Sequence, residues 1–175
     1  MVQLGQPIVH DLMMTTNESS ALAIRKDFEM IVVYGENSSH PLRRSVEIGY
    51  RAPLHTSASG KAILAHLTDE KIDQYLSSVK MIPITPTTIT LPETLREELR
   101  AIRSGALAYA REEQFEGLTA MAAPVFDLHG GVVAALVVTV PTIRFNEDLE
   151  KLIEETLQRA SEELSRQLGF NSISD

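Results

Sequence analysis

The fold is decided by residues 118–140, which read Leu118-Thr-Ala-Met-Ala-Ala-Pro-Val-Phe-Asp-Leu-His-Gly-Gly-Val-Val-Ala-Ala-Leu-Val-Val-Thr-Val140. Two apolar runs, 118–126 and 132–140, flank a short polar stretch that contains two glycines. Apolar runs joined by a glycine-containing turn are typical of a β-hairpin. This stretch therefore predicts the centre of an antiparallel sheet.

Further strands and several helices are predicted on both sides of the hairpin. Short β-rich runs predict strands at 20–25, 30–34, 42–48 and 108–112. Apolar residues at helical spacing, with Pro, Asn or Gly at the ends, predict helices at 7–16, 57–67, 69–79, 92–105 and 146–168. Residues 81–90, rich in Pro and Thr, predict an extended loop. The pattern indicates an α+β fold with helices packed on a central antiparallel β-sheet.

Length and hydropathy indicate a single domain. The chain has 175 residues and is 43% hydrophobic, enough for one substantial core. No apolar run approaches the length of a membrane span, and the first residues lack the pattern of a signal peptide. We therefore predict a cytoplasmic location and no membrane partner.

Charge and cysteine content exclude several kinds of site. The chain has no cysteine, so disulfides, thiolate metal sites and cysteine nucleophiles are absent. Sixteen Lys and Arg stand against 24 Asp and Glu, a formal net charge of -8. This charge opposes the phosphate attraction that dominates nucleic-acid affinity. We do not expect this chain to bind DNA by itself.

The predicted helix 57–67 begins with small residues. Ala58, Ser59 and Gly60 would let a ligand approach the backbone N–H groups at the positive end of the helix dipole, where carboxylates and phosphates are favoured. A P-loop is rejected, because His55 stands where a glycine is needed and Ala62 where Ser or Thr is needed. The alternative interpretation is a capped helix that packs closely on the sheet.

Residues 49–67 also resemble the signature of the IclR-type transcriptional regulators, in their C-terminal effector-binding domain. The resemblance continues in order through Thr85-x-x-Thr88-Ile89, 95–105, Glu113-x-x-x-Gly117, Ala122-Ala-Pro-Val125 and Pro141. It implies a GAF-like fold and one effector-binding domain over residues 1–175. In the family a winged helix-turn-helix precedes this region, so DNA contact is expected only through an N-terminal domain that is missing from this chain.

The resemblance also implies where a ligand binds. In the family a small carboxylate or aromatic acid lies against the helix start and two strands, which correspond here to Ala58, Ser59, Leu118, Ala120, Val137 and Thr139. Several members have cysteine in place of Ala120, serine in place of Val137 and an acid near Ala110 or Arg111. A pocket with fewer polar partners should prefer more apolar surface, so we expect an aromatic or longer-chain acid.

Two other side chains have two interpretations each. Arg111 could bind a carboxylate with both arms of its guanidinium, or it could be an exposed arginine at a strand edge. His55 lies beside the predicted pocket and could donate to a ligand carboxylate, or it could be a turn histidine hydrogen-bonded to the backbone. The five histidines lack the spacing of a metal site, and no cofactor is predicted.

Catalysis is not predicted. Glu112 and Glu113 are adjacent carboxylates, and neighbours in a strand point to opposite faces, so they cannot act together as an acid and base pair. Nothing places Ser57 on a nucleophile elbow beside a base. We predict an acid-sensing, homodimeric or homotetrameric domain of a transcription regulator. The alternative is a freestanding GAF-like small-molecule-binding domain, or an enzyme, without a DNA-linked role.

Overall fold

The computed structural model describes residues 1–171, and its core is an antiparallel six-stranded sheet in the order β3-β2-β1-β6-β5-β4. The strands are β1 (Ser19–Lys26), β2 (Glu29–Glu36), β3 (Arg51–Pro53), β4 (Ala108–Arg111), β5 (Leu118–Phe126) and β6 (Val132–Pro141). The helices are α1 (Val2–Thr16), α2 (Ala58–Ala65), α3 (Asp69–Ser78), α4 (Pro92–Arg103) and α5 (Glu147–Gln167). The predicted α+β fold with a central antiparallel sheet is confirmed.

Helices cover both faces of the sheet because side chains alternate along each strand. Leu136 and Val138 of β6 belong to the core beneath α1 and α5. Ala135 and Val137 of the same strand belong to the core beneath α2, on which α4 packs. The continuous apolar run that predicted β6 is therefore explained by burial on both faces.

Two of the predicted helix starts carry side-chain capping bonds. The Ser57 hydroxyl accepts from the Gly60 amide at 3.0 Å, at the start of α2. The Asn146 side chain accepts from the Leu149 amide at 3.0 Å, at the start of α5. The prediction that the Thr68 side chain caps α3 is wrong, because Thr68 precedes α3 without a capping bond from its side chain. The Ser57 and Asn146 side chains thus satisfy amides that the first helical turn leaves without a partner.

The predicted strand at 42–48 is wrong. Segment 37–50, between β2 and β3, is largely irregular, and β2 pairs with β3 on the edge that faces away from β1. Gly49 and Tyr50 form backbone hydrogen bonds with Val32 of β2, and side chains satisfy backbone groups earlier in the segment. The amide of Val46 donates to the Asn37 side chain at 2.8 Å, and the carbonyl of Leu42 accepts from Arg144 at 2.8 Å.

Two further boundaries differ from the prediction. α1 begins at Val2, five residues before Pro7, with Pro7 inside the helix. β4 ends at Arg111, because Glu112 has a φ of 60° and turns the chain out of the strand. Within residues 1–171 no helix is both long and apolar enough to cross a bilayer.

Candidate functional site

A cavity lies between the start of α2, the sheet and segment 37–50. It encloses about 690 Å³ of unoccupied space, its open mouth included. Strand residues form the apolar wall, namely Ala21, Met30, Val32, Ala110, Leu118, Ala120 and Val137. Ser19, Ser57, Ser59 and Thr139 add hydroxyl groups to the lining. The arrangement suits a ligand with an apolar body and a polar head group.

Strand pairing produces this recess. Thr139 of β6 lies opposite Ser19 of β1 on one side and Ala120 of β5 on the other. Ala110 of β4 lies opposite Ala120 in turn. Because three of these four residues are Ala or Ser, the sheet surface under the start of α2 stays open.

Six of the predicted site residues meet in this cavity. Ala58 and Ser59 come from α2, and the strands supply Leu118, Ala120, Val137 and Thr139. The six positions lie far apart in the sequence, and the sheet register brings them to one place. Their role in binding stays a prediction.

Gly60 has a packing role and does not line the cavity. A Cβ added there would lie 2.3 Å from the carbonyl oxygen and 2.7 Å from the Cα of Leu54. Such distances are not possible without moving backbone. Gly60 therefore lets α2 lie directly against the 3-10 turn that precedes it.

Arg111 lies outside the cavity, because it faces away from its lining neighbour Ala110. Its guanidinium forms an ion pair with Glu150 of α5 at 2.8 Å and stacks 4.4 Å from the ring centre of Tyr109. Burial, with Glu150 nearby, raises the pKa of Tyr109 to about 12. The structure agrees with the interpretation of Arg111 as a largely exposed strand-edge residue.

The start of α2 leaves two amides unpaired. Ser57 accepts from Gly60 through its side chain and from Lys61 through its carbonyl, at 3.0 and 2.9 Å. Across residues 1–171 the amides of Ala58 and Ser59 have no hydrogen-bond acceptor. Both residues are buried and line the cavity. Buried N–H groups at a helix start favour an acceptor that carries negative charge.

Sequence reasoning missed the mouth of the cavity. Arg44, Tyr50, Gln114 and Phe115 line it. The guanidinium of Arg44 lies 5.3 Å from the ring centre of Tyr50 and 4.7 Å from that of Phe115. Two of these residues stand inside the quoted Glu113-x-x-x-Gly117 motif, which was the available signal. Nothing in the sequence pattern singles out Arg44.

A buried charge cluster behind the cavity was also missed. Lys61 is fully buried, and its Nζ lies 2.6 Å from Glu98 Oε1 and 2.7 Å from Glu113 Oε2. Burial raises the pKa of Glu113, although the Lys61 ammonium opposes that shift. The cluster fixes α2 against α4 and against the turn that supplies Gln114.

His55 is buried and bonded inside the protein. Its Nδ1 lies 2.7 Å from the hydroxyl of Tyr75, which also accepts from the His55 amide at 3.1 Å. Burial, helped by the charge of Lys61, lowers the pKa of His55 to about 4. The residue does not line the cavity. Neither interpretation describes it, because the ring bonds to the side chain of Tyr75, 20 residues along the chain, and not to the backbone of its own turn.

Known proteins share this sequence and architecture. The family model described as "Bacterial transcriptional regulator IclR C-terminal" matches residues 1–166. The HTH-type transcriptional regulator KdgR of Dickeya chrysanthemi is 34% identical over 163 residues, which cover 93% of this chain and 53% of KdgR. The chain thus spans about half the length of this curated relative.

Two solved structures show the same fold. The crystal structure of the Thermotoga maritima IclR has a TM-score of 0.91 at 30% identity. The match covers 96% of this chain and 68% of the Thermotoga chain. The second structure is a double mutant of the PobR inducer-binding domain from Acinetobacter, in complex with 3-hydroxybenzoic acid. It has a TM-score of 0.86 at 24% identity, and the match covers 94% of this chain and 97% of the PobR chain. At this identity, the similarity to the PobR domain is evidence of a shared fold alone.

The names of these relatives bear on function. KdgR and the matching family model are both described as transcriptional regulators, which confirms the prediction that the chain is not an enzyme. The family match extends from the first residue through most of α5. The chain therefore belongs to the IclR-type transcriptional regulators and corresponds to their C-terminal domain.

Proposed function

We propose that this domain is the effector-binding part of a transcription regulator and binds a small organic acid in the cavity between α2 and the sheet. One observation carries the proposal. The amides of Ala58 and Ser59 line the cavity at a helix start and donate to no acceptor among residues 1–171. An acid's carboxylate would supply that acceptor and would be stabilised by the helix dipole.

The lining supports an acid with an aromatic or longer-chain body. The hydroxyls of Ser59 and Thr139 would position the head group, and Leu118, Ala120 and Val137 would limit the size of the body. Domains of this fold can hold such a molecule, since the PobR domain is described with 3-hydroxybenzoic acid.

Regulation would need a second region and more than one subunit. We place DNA binding outside this chain, because KdgR is named HTH-type and is about twice as long as the part matched here. A bound acid alters DNA affinity only if it binds one arrangement of a homodimer or homotetramer better than another. The cytoplasmic location and the domain range 1–175, which includes four residues beyond those described, stay predictions.

Calorimetric titration tests the binding site. We expect benzoate, hydroxybenzoates or aliphatic acids of four to eight carbons to bind, and Ser59→Leu to abolish binding by filling the space beside the α2 amides. Ser77→Leu, an exposed serine on α3, is the matched control and should bind normally. Unchanged affinity in Ser59→Leu would remove the proposed site.

Sedimentation analysis tests the link to assembly. The chain is measured with and without the tightest acid found by calorimetry. We expect the acid to shift the distribution between dimer and tetramer, because differential affinity must appear as a population shift. Identical distributions at saturating acid would contradict the assembly mechanism and leave acid binding intact.

A further inference from the structure

Arg44 is the cation of the cavity. Of the charged side chains in the described chain, Arg44 and Glu47 line it. Glu47 is exposed, whereas Arg44 is half-buried, with its guanidinium against the rings of Tyr50 and Phe115. The two rings lie 6.0 Å apart at 41° to each other. Stacking on aromatic rings holds a guanidinium in place without using its N–H donors.

Most of the donors on Arg44 are unused. One of them, Nη1, donates to the backbone carbonyl of Ser45 at 2.9 Å. Within residues 1–171 no carboxylate lies within 4.0 Å of this guanidinium, so Glu47 does not neutralise it. A guanidinium has five N–H donors in a planar fork that matches a carboxylate. Arg44 can therefore take a second acidic group.

The rest of the cavity mouth also supplies a hydrogen-bond donor. Gln114 Nε2 donates to the hydroxyl oxygen of Tyr50 at 3.1 Å, which leaves the hydroxyl hydrogen of Tyr50 free to point elsewhere. The mouth thus presents a guanidinium and a phenol beside an apolar wall that contains Met30, Val32 and Leu118. An acceptor-rich, anionic group satisfies both donors, and a hydrocarbon end satisfies neither.

We propose that the effector has two acidic ends and that Arg44 is the residue that selects the second one. This inference rests on the proposed function, in which the first carboxylate meets the amides of Ala58 and Ser59. The apolar wall between the two ends takes an aliphatic or aromatic spacer. The ligand class is then a dicarboxylate with a hydrocarbon core. Arg44 takes the role that the sequence assigned to Arg111.

Matched pairs of acids test this assignment. Terephthalate is compared with 4-methylbenzoate, and adipate with hexanoate, by calorimetric titration of the whole chain. The two acids of each pair share a carbon skeleton and differ in whether one end is a carboxylate or a methyl group. We expect the dicarboxylate of at least one pair to bind about tenfold or more tightly, because a charge-assisted hydrogen bond contributes at least that factor.

Three variants separate the role of Arg44 from general effects. Arg44→Met should remove the preference and leave monocarboxylate affinity within about threefold of wild type. Arg44→Lys keeps the charge but loses the planar fork, and should retain only part of the preference. Arg43→Met is the control, because Arg43 is exposed, donates to the His40 carbonyl and does not line the cavity. Thermal melting checks that each variant is folded.

The outcomes distinguish this inference from the function it rests on. If monocarboxylates bind in a Ser59-dependent way but dicarboxylates bind no better, the assignment of Arg44 is overturned and the acid site stands. The same holds if Arg44→Met weakens both members of a pair equally. If no acid binds the wild-type chain, both proposals fail. Loss of the preference in Arg44→Met but not in Arg43→Met supports the inference.

Discussion

Lys61 Nζ lies 2.7 Å from Glu113 Oε2, and no part of the lysine side chain reaches solvent. A second acid, Glu98 of α4, lies 2.6 Å from the same nitrogen. A buried ammonium is stabilised only when such partners surround it. The three residues join α2, α4 and the turn after β4 at one point, immediately behind the cavity.

Lys61→Met should destabilise the domain by about 3–5 kcal/mol, because it leaves the carboxylates of Glu98 and Glu113 together without a cation. Urea unfolding at pH 7 measures the change. Arg51→Met is the matched control, since Arg51 pairs with Glu29 at 3.4 Å with both side chains nearly half exposed. The Arg51→Met substitution should lower the free energy of unfolding by less than about 1 kcal/mol. An equal loss of unfolding free energy in the two variants would contradict the structural role of Lys61.

Gly60→Ala should destabilise the domain by about 1–3 kcal/mol or more, because the new Cβ meets the backbone of Leu54. The start of α2 must shift, so acid binding should weaken as well. Gly131→Ala provides the control, since a Cβ there meets the Asp127 side chain at 3.4 Å in an ordinary contact. Denaturant melts and titrations of both variants are compared. A Gly60→Ala protein with wild-type stability would refute the close approach.

Tyr75→Phe should lower the free energy of unfolding by about 1–3 kcal/mol. The Tyr75 hydroxyl is the acceptor of the buried His55 amide and the partner of His55 Nδ1, and its loss leaves both without a bond. Tyr34→Phe is the comparison, because its hydroxyl donates to Glu36, whose carboxylate also meets His10 at the surface. We expect that change to stay below about 1 kcal/mol. A smaller loss for Tyr75→Phe than for Tyr34→Phe would count against this account.

His55 should contribute less to stability as the pH falls from 6.5 to 4. The pKa of His55 is lowered from 6.5 to about 4 by burial, so the unfolded chain takes up a proton in this range while the folded chain does not. The stabilising contribution is present above pH 6.5 and is lost at a limiting slope of about 1.4 kcal/mol per pH unit. His55→Gln should show a shallower slope in urea titrations across this range. Parallel slopes would show that His55 does not titrate as described.

Arg144→Met should loosen segment 37–50. Arg144 donates to both carboxylate oxygens of buried Glu18, at 2.9 and 2.8 Å, and to the Leu42 carbonyl at 2.8 Å. The variant leaves Glu18 unpaired, which should cost about 3–5 kcal/mol. Hydrogen exchange of amides 38–46 should accelerate more than that of β5. The control Arg166→Met breaks an exposed pair with Glu163 and should change neither quantity.

Local patterns were sufficient for most of the fold. The β5–β6 hairpin and the helices after Pro92 and Asn146 were predicted within one or two residues at most ends, because apolar periodicity and capping residues act over a few neighbours. Segment 37–50 was not predictable in this way. Its conformation depends on Arg144, about one hundred positions away in the chain, whose guanidinium bonds Leu42.

The sequence by itself determined the class of fold, the order of its elements and the small residues at the start of α2, since these depend on local chemistry. Tertiary structure decided which charges face the ligand. It turned Arg111 toward Glu150, brought Arg44 to the cavity and buried Lys61 between two acids. The physical reason is that a side chain's electrostatic surroundings come from residues distant in the chain, and a linear pattern of residue types does not contain those distances.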